Sequence, residues 1–248
     1  MSVLRKAKLL VQATSRIYGV TPYFATRAVV AATVEPARFH VWARAWAASL
    51  LEIGHVTTAV RGVEGVDWDK PLVLMSNHQS LYDIPVLFHR IPADIHFLSK
   101  KELRSVPFMG WSMEKGGFVF IDRKDPVKSK ESIERAAQDV INGKAVAIFP
   151  EGTRSGDGTL QPFKKGGFVL AIKAGAQIVP VWLDGSHGVC PKGSLVVYPG
   201  HVEVRVGRPV DPKQFPLEAK EGLMEAVREE LVRLSSIPPL EPTGARPE

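Results

Sequence analysis

Leu72-Val-Leu-Met-Ser-Asn-His-Gln-Ser-Leu-Tyr-Asp-Ile-Pro85 sets an apolar run against a dense polar turn. Leu72 to Met75 show no polar alternation, the mark of a strand buried on both faces of a parallel sheet. The turn that follows delivers His78 and Asp83. On a continuous helix, residues five apart are about 140° apart. The pair can therefore meet only if His78 sits on the turn and Asp83 in the first helical turn. Ser80 as N-cap with Asp83 at N3 is a capping-box pattern that would arrange this. A carboxylate bonded to one imidazole nitrogen fixes the tautomer and leaves the other nitrogen free to take a proton. In isolation, His-x4-Asp reads more simply as a loop histidine beside a capping carboxylate. Its place at the carboxyl end of a buried strand, where open α/β sheets form ligand crevices, turns the reading toward function.

Working outward, the same pattern recurs. Ile95–Leu98, Phe118–Ile121, Ala145–Phe149 and Ile178–Leu183 read as further buried strands, with helices over 80–90, 126–142 and 162–174. This alternation predicts an α/β fold with a mixed, largely parallel sheet flanked by helices. Ser194–Val206 reads as an edge hairpin around Pro199-Gly200, and 217–235 as a final helix. Ile237–Glu248 holds four prolines in twelve residues and reads as a disordered tail. Lys-Gly-Gly-Phe-Val occurs at 115–119 and again at 165–169. The first copy runs into a strand and the second into a helix, so they do not form a repeat.

Other predicted strands end in chemistry too. Phe149-Pro-Glu-Gly-Thr-Arg-Ser155 follows an apolar run with a turn in which Gly152 permits close backbone approach and Arg154 can grip a carboxylate or phosphate. Gly116-Gly-Phe-Val-Phe-Ile-Asp-Arg123 delivers Arg123, and Phe97-Leu-Ser-Lys-Lys-Glu-Leu103 delivers Lys100 and Lys101. Any one of these cations is most simply a solvated surface charge. Together with His78 and Asp83 they describe a crevice pairing a general base with phosphate-binding groups.

Composition narrows the alternatives. At 45% hydrophobic and 23% charged, 248 residues can bury a proper core. The single cysteine, Cys190, excludes a disulfide framework and a Cys-rich zinc site, and His187-x2-Cys190 offers only two ligands. No metal or organic cofactor is expected. The net charge of +6 belongs to residues 1–62, which carry eight basic residues and two acidic ones. This first segment reads as helices over 3–53, broken at Pro22 and Pro36. Phe39, Trp42, Trp46 and Leu50 form one helical stripe with Arg38 and Arg44 off it, a pattern fitting either a lipid interface or the domain core. No apolar stretch is long enough for an ordinary membrane span. The basic residues lie on apolar helices without a nucleic-acid reading motif, so no nucleic-acid partner is expected. The domains predicted are thus membrane-associating amphipathic helices over 1–55, a catalytic domain over 56–236 and a tail over 237–248.

The ordered blocks Asn77-His-x4-Asp83, Lys100-x-Glu-Leu103, Gly-Phe-Val-Phe-Ile-Asp-Arg123, Phe-Pro-Glu-Gly-Thr-Arg-Ser155 and Ile178-Val-Pro-Val181 resemble those of the glycerolipid acyltransferases, in particular the lysophosphatidate acyltransferase family. The blocks cover about 70 to 185, at compatible spacings. One departure is Gln177, where the family often has proline. The resemblance implies transfer of a fatty acyl group from acyl-CoA or acyl carrier protein to the sn-2 hydroxyl of 1-acyl-sn-glycerol 3-phosphate, giving phosphatidic acid, with glycerol 3-phosphate or another lysophospholipid as the alternative acceptor. It implies His78 as base, Asp83 as its orienting carboxylate, and Lys100, Arg123, Glu151, Gly152, Thr153 and Arg154 as acceptor-binding residues. A peripheral or monotopic enzyme on the cytoplasmic face of the cell membrane, attached through an anionic membrane surface, follows from the resemblance and the N-terminal charge together. A covalent acyl-enzyme on Cys190 or Ser80 and a non-catalytic lipid-binding module are the rival readings.

Overall fold

The computed structural model describes residues 3–35 and 38–240, with the backbone alone at 3–10, 12, 13 and 17. In chain order the elements are α1 (Val3–Val34), α2 (Arg38–Ile53), β1 (Val56–Arg61), β2 (Leu72–Ser76), α3 (Asp83–Arg90), β3 (Ile95–Lys100), α4 (Met109–Lys115), β4 (Val119–Ile121), α5 (Pro126–Ile141), β5 (Ala145–Ile148), α6 (Gly166–Ala174), β6 (Gln177–Asp184), α7 (Ser186–Val189), β7 (Gly200–Val206) and α8 (Lys220–Ser235). The strands form one sheet in the order β1-β7-β6-β2-β5-β3-β4. All neighbouring pairs are parallel except β6 with β7. The predicted α/β class and mixed, mostly parallel sheet are therefore observed.

Side chains alternate across the strands and feed one core on each face. Leu72, Leu74, Ile95 and Phe97 pack with Leu50, Leu51, Val86 and Leu87 of α2 and α3. Val73, Met75, Val146 and Ile148 pack with Ile133, Phe168 and Leu231 of α5, α6 and α8. Helices on both faces explain why β2 and β5 are buried at every position.

Several local expectations give way to tertiary context. Pro22 lies inside α1, which is continuous from Val3 to Val34. Packing on α2, including the Trp46 Nε1–H bond to Thr21 Oγ1 at 3.2 Å, holds the helix across the lost hydrogen bond. Pro36, the other expected break, lies outside the described residues, as does the predicted tail from residue 241 onward. The 194–206 hairpin is absent: Gly200–Val206 is a single strand between β1 and β6. Proline at 199 has no N–H for a ladder, and the Val197 and Tyr198 amides bond instead to Thr14 Oγ1 and the Val189 carbonyl. The helices expected from 80 and 162 begin at 83 and 166. Residues 217–219 form a 3₁₀ turn ahead of α8. β1 and α4 were not legible as separate elements.

The Trp-bearing stripe of α2 faces the domain. Phe39 and Leu50 are buried, and Trp42 and Trp46 are partly buried against the same core. Arg44 also turns inward, donating to the carbonyls of Phe88, Ile91 and Ala93 around the C-terminal end of α3. The indole rings therefore do not form an outward lipid-facing stripe. Among the described residues, no helix is long and apolar enough to cross a membrane.

Candidate active site

Strands β2 and β5 are hydrogen-bonded neighbours and parallel, so their carboxyl ends open side by side. This brings the turn after Ser76 against the turn after Ile148. Asn77 is fully buried, and its amide acts as a piece of strand. Its Nδ2 donates to the Leu183 carbonyl at 3.0 Å, and its Oδ1 accepts the Leu183 N–H at 2.7 Å. That clamp ties the start of the turn to β6.

His78 follows. Its Nδ1 lies 2.7 Å from Asp83 Oδ2, and the same oxygen accepts the N–H groups of Gln79 at 2.7 Å and Ser80 at 2.9 Å. The predicted capping arrangement is half present: Asp83 reaches back to the Ser80 N–H, but Ser80 Oγ accepts from the Tyr82 N–H and the α-helix itself starts at Asp83. Asp83 is fully buried and accepts from two backbone N–H donors at short distance, which fixes its carboxylate oxygen beside the imidazole. The imidazole stacks on Phe149 at 3.8 Å between centroids and 11° between planes. Ring orientation is thus fixed by Asp83 at one edge and by Phe149 across its face, leaving Nε2 as the second nitrogen.

Glu151 is turned inward. It is 3% exposed, with Oε1 accepting the His78 N–H at 2.7 Å and Oε2 the Gln161 N–H at 2.8 Å. Burial pushes its carboxyl up to about 7, against the lowering effect of both backbone bonds. Its visible work is to brace the His78 turn, which differs from the expected direct contact with an acceptor. The Ser155 N–H bond to the His78 carbonyl, at 2.7 Å, adds a second brace from the same loop.

The expected cations are only partly brought together. Arg123 reaches across from the end of β4 and donates to the Gly152 carbonyl. Gly152 has φ +74°, and a Cβ there would lie 3.3 Å from the Arg123 guanidinium, so both conformation and space favour glycine. Arg154 is half-buried, with Nη1 buried and without a hydrogen-bond partner among the described residues, and its charge bears on Tyr18 of α1 and on Cys190. Thr153 is exposed. Lys100 stands exposed at the end of β3, and among the described residues no hydrogen bond or ion pair joins its side chain to Arg123 or Arg154. Cys190 is buried, and that burial pushes its thiol up, which disfavours the thiolate a covalent mechanism would use. Among the described residues, no cluster of three or more His, Cys, Asp or Glu side chains could hold a metal ion.

Beside the His78 turn lies an apolar cavity of about 190 Å³, partly open to solvent. Its wall includes Phe24 and Ala28 of α1, Trp42 and Trp46 of α2, Leu81 of the His78 turn and Ile84 of α3. The sequence reading missed this cavity because its wall is assembled from segments far apart in the chain. It also missed Phe149 as the platform for His78, although the residue stood at the end of a predicted strand.

A family model described as Acyltransferase matches residues 57–184, just over half of the chain and all of this site. The chain belongs to the acyltransferase family. Among its relatives in that family, a chloroplastic 1-acyl-sn-glycerol-3-phosphate acyltransferase of Brassica napus is 38% identical over 76% of this chain and 56% of its own length. The 1-acyl-sn-glycerol-3-phosphate acyltransferase of Pseudomonas aeruginosa is 30% identical over 80% of this chain and 77% of its own length. The chain spans about half the length of the plant relatives it matches. The crystal structure of the 1-acyl-sn-glycerophosphate acyltransferase from Thermotoga maritima superposes with a TM-score of 0.80 at 26% identity, covering 97% of this chain and 100% of that one. The family model's match ends at Asp184, so β7, α8 and the N-terminal helices lie outside the residues it covers.

Proposed function

We propose that this acyltransferase moves a fatty acyl group from a thioester, acyl-CoA or acyl carrier protein, to the sn-2 hydroxyl of 1-acyl-sn-glycerol 3-phosphate, giving phosphatidic acid. The observation that carries the reading is the 2.7 Å His78–Asp83 contact at the mouth of a buried parallel strand. The apolar cavity alongside, with Leu81 and Ile84 in its wall, supplies room for a fatty chain next to that base. The names of the relatives support the acceptor.

In this mechanism His78, oriented by Asp83, takes the hydroxyl proton on Nε2 as the acceptor oxygen attacks the thioester carbonyl. The imidazolium so formed is stabilised by the buried carboxylate. When the tetrahedral intermediate collapses, the C–S bond breaks and His78 returns its proton to the departing thiolate. An acceptor phosphate of about −1.5 to −2 charge has Arg123 and Arg154 as its nearest partners in this reading. The unpartnered Nη1 of Arg154 supports that role, and Lys100 contributes at longer range. Residues 1–55 attach the enzyme peripherally to the cytoplasmic face of the membrane. Supporting this are the basic surplus of the first 62 residues and the exposed Tyr18, Tyr23, Val30 and Val34 of α1.

The test is an acceptor-by-donor assay: glycerol 3-phosphate, lysophosphatidate and lysophosphatidylcholine against each thioester, with His78→Ala as control. Lysophosphatidate should be the preferred acceptor and the variant inactive. Equal turnover of lysophosphatidylcholine would remove the phosphate-recognition argument, and an active His78→Ala would remove the base.

A further inference from the structure

The segment between β3 and β4 has an unusual tip. Phe108 adopts φ 61° and ψ −53°, and the Met109 N–H bonds to the Pro107 carbonyl at 2.6 Å. This is a γ-turn of the rare positive-φ kind, strained for any residue with a Cβ. Apart from Phe108, His55 is the only non-glycine residue with positive φ among those described. The strain holds an aromatic ring out in solvent. Phe108 is 42% exposed and stacks edge-on, at 5.6 Å, with Trp111, itself 58% exposed. Val106 is exposed beside them.

The base of this tip is packed firmly. A Cβ on Gly110 would lie 2.2 Å from the Arg104 carbonyl oxygen, and one on Gly116 would lie 2.5 Å from the Phe39 ring. The start of α4 is therefore pressed against the preceding turn of its own segment and its end against Phe39 of α2, and it packs beside α1. From the same segment Leu103, Met109 and Met113 turn inward and line the apolar cavity. From Lys100 to Lys115 the cations are Lys100, Lys101, Arg104 and Lys115; Arg104 pairs with Glu114 and Lys101 with Asp122, so among the described residues Lys100 and Lys115 are the two outside ion pairs. One short segment thus carries the cavity wall on one side and an exposed aromatic pair on the other, flanked in sequence by Lys100 and Lys115.

We propose that Phe108 and Trp111 form a lipid-inserting knob that seats the cavity mouth in the interfacial zone of a phospholipid bilayer, separately from the N-terminal helices. Aromatic rings of this kind settle at the headgroup level, and neighbouring cations favour an anionic leaflet. Continuity with the cavity wall selects lipid as the occupant, because the segment that exposes Phe108 and Trp111 also lines the apolar cavity through Leu103, Met109 and Met113. The proposal rests on the acyl-transfer reading for that consequence, though membrane binding itself can be measured without any substrate.

The test uses the full chain and vesicles of phosphatidylcholine containing phosphatidylglycerol. Trp111→Ser should weaken vesicle binding by about tenfold, or about 1.4 kcal/mol. Phe108→Gly should weaken it similarly while its melting temperature stays at or above that of the parent, because glycine takes the turn without strain. That opposite movement of affinity and stability is the distinguishing result. Bromine-labelled lipids should quench the parent's fluorescence more than that of Trp111→Phe. Vesicle affinity within about twofold of the parent for both variants would overturn the proposal. So would a parent dimer that Trp111→Ser splits, which would assign the patch to a second copy of the chain. His78→Ala should bind vesicles like the parent, so a failure of the catalytic reading leaves this result standing and is seen separately in turnover.

Discussion

Replacing Asp83 with asparagine isolates the charge at the centre of the proposed mechanism. The side chain keeps its shape, and an amide oxygen in the place of Oδ2 can still accept from His78 Nδ1, Gln79 N–H and Ser80 N–H. What is lost is the negative charge facing the imidazolium that forms as the acceptor is deprotonated. With Nδ1 and Oδ2 2.7 Å apart, the charge centres lie about 4 Å apart, worth about 4 kcal/mol at an effective dielectric constant near 20. At about 1.36 kcal/mol per decade, turnover should fall by roughly 10³. Acceptor KM should change little, because Asp83 is fully buried and touches His78 and backbone rather than lipid. The new Nδ2 replaces an oxygen that is buried without a partner, so stability should drop by about 1–3 kcal/mol, and a thermal melt must accompany the kinetics. Steady-state turnover of Asp83→Asn, His78→Ala and the double variant is the assay. A folded Asp83→Asn keeping more than about a tenth of parental kcat would refute the electrostatic argument. So would losses that multiply in the double variant, since a carboxylate acting only through His78 has nothing left to lose once the ring is gone.

The remaining expectations concern the supports of the site. Asn77→Ala should cost about 2–5 kcal/mol by urea denaturation, because it strands both the N–H and the carbonyl of Leu183; an unchanged midpoint would mean water replaces the clamp. Glu151 should carry a pH signature. Its carboxyl is raised from 4.5 to about 7 by burial, so the folded state keeps a proton that the unfolded chain releases. Its contribution is complete below about pH 4.5 and is lost as pH rises through about 7, a change of roughly 3 kcal/mol. The stability difference between parent and Glu151→Gln should therefore drift across that window, and a flat difference would contradict the burial argument. His40 acts in the opposite sense: burial, then the neighbouring His96, lower it from 6.5 to about 4. Its share of stability is present above about pH 6.5 and lost as pH falls through about 4, which is why the comparison must be made between variants. Cys190→Ser should retain full turnover within assay error, and a collapse in a folded variant would revive the acyl-enzyme. Ala43→Phe projects a ring into the cavity wall and should shift preference toward shorter acyl donors; an unchanged chain-length profile would place the chain elsewhere.

The pairing of His78 with Asp83 was readable in the sequence because it is local. An apolar strand followed by Ser76-Asn77-His78 and, after one tight turn, Asp83 has few ways to fold, and the 2.7 Å contact is made within six residues. The same is true of the α/β alternation, since strands buried on both faces must be covered by helices on both faces. Tertiary structure decided whatever depended on which strands became neighbours and which way each helix turned. The pairing of β2 with β5 puts Glu151 on the His78 N–H across 73 positions, and no local pattern specifies that pairing. The stripe of α2 fitted a membrane or a core equally well by periodicity, and packing against α3 settled it inward. Counting charge in the first 62 residues could not show that Arg44 is spent on the carbonyls at the end of α3, or Arg61 on Glu203 and the Pro238 carbonyl. The positive φ at Phe108 was invisible for the same reason: phenylalanine has no preference for that conformation, and only the surrounding contacts hold it there.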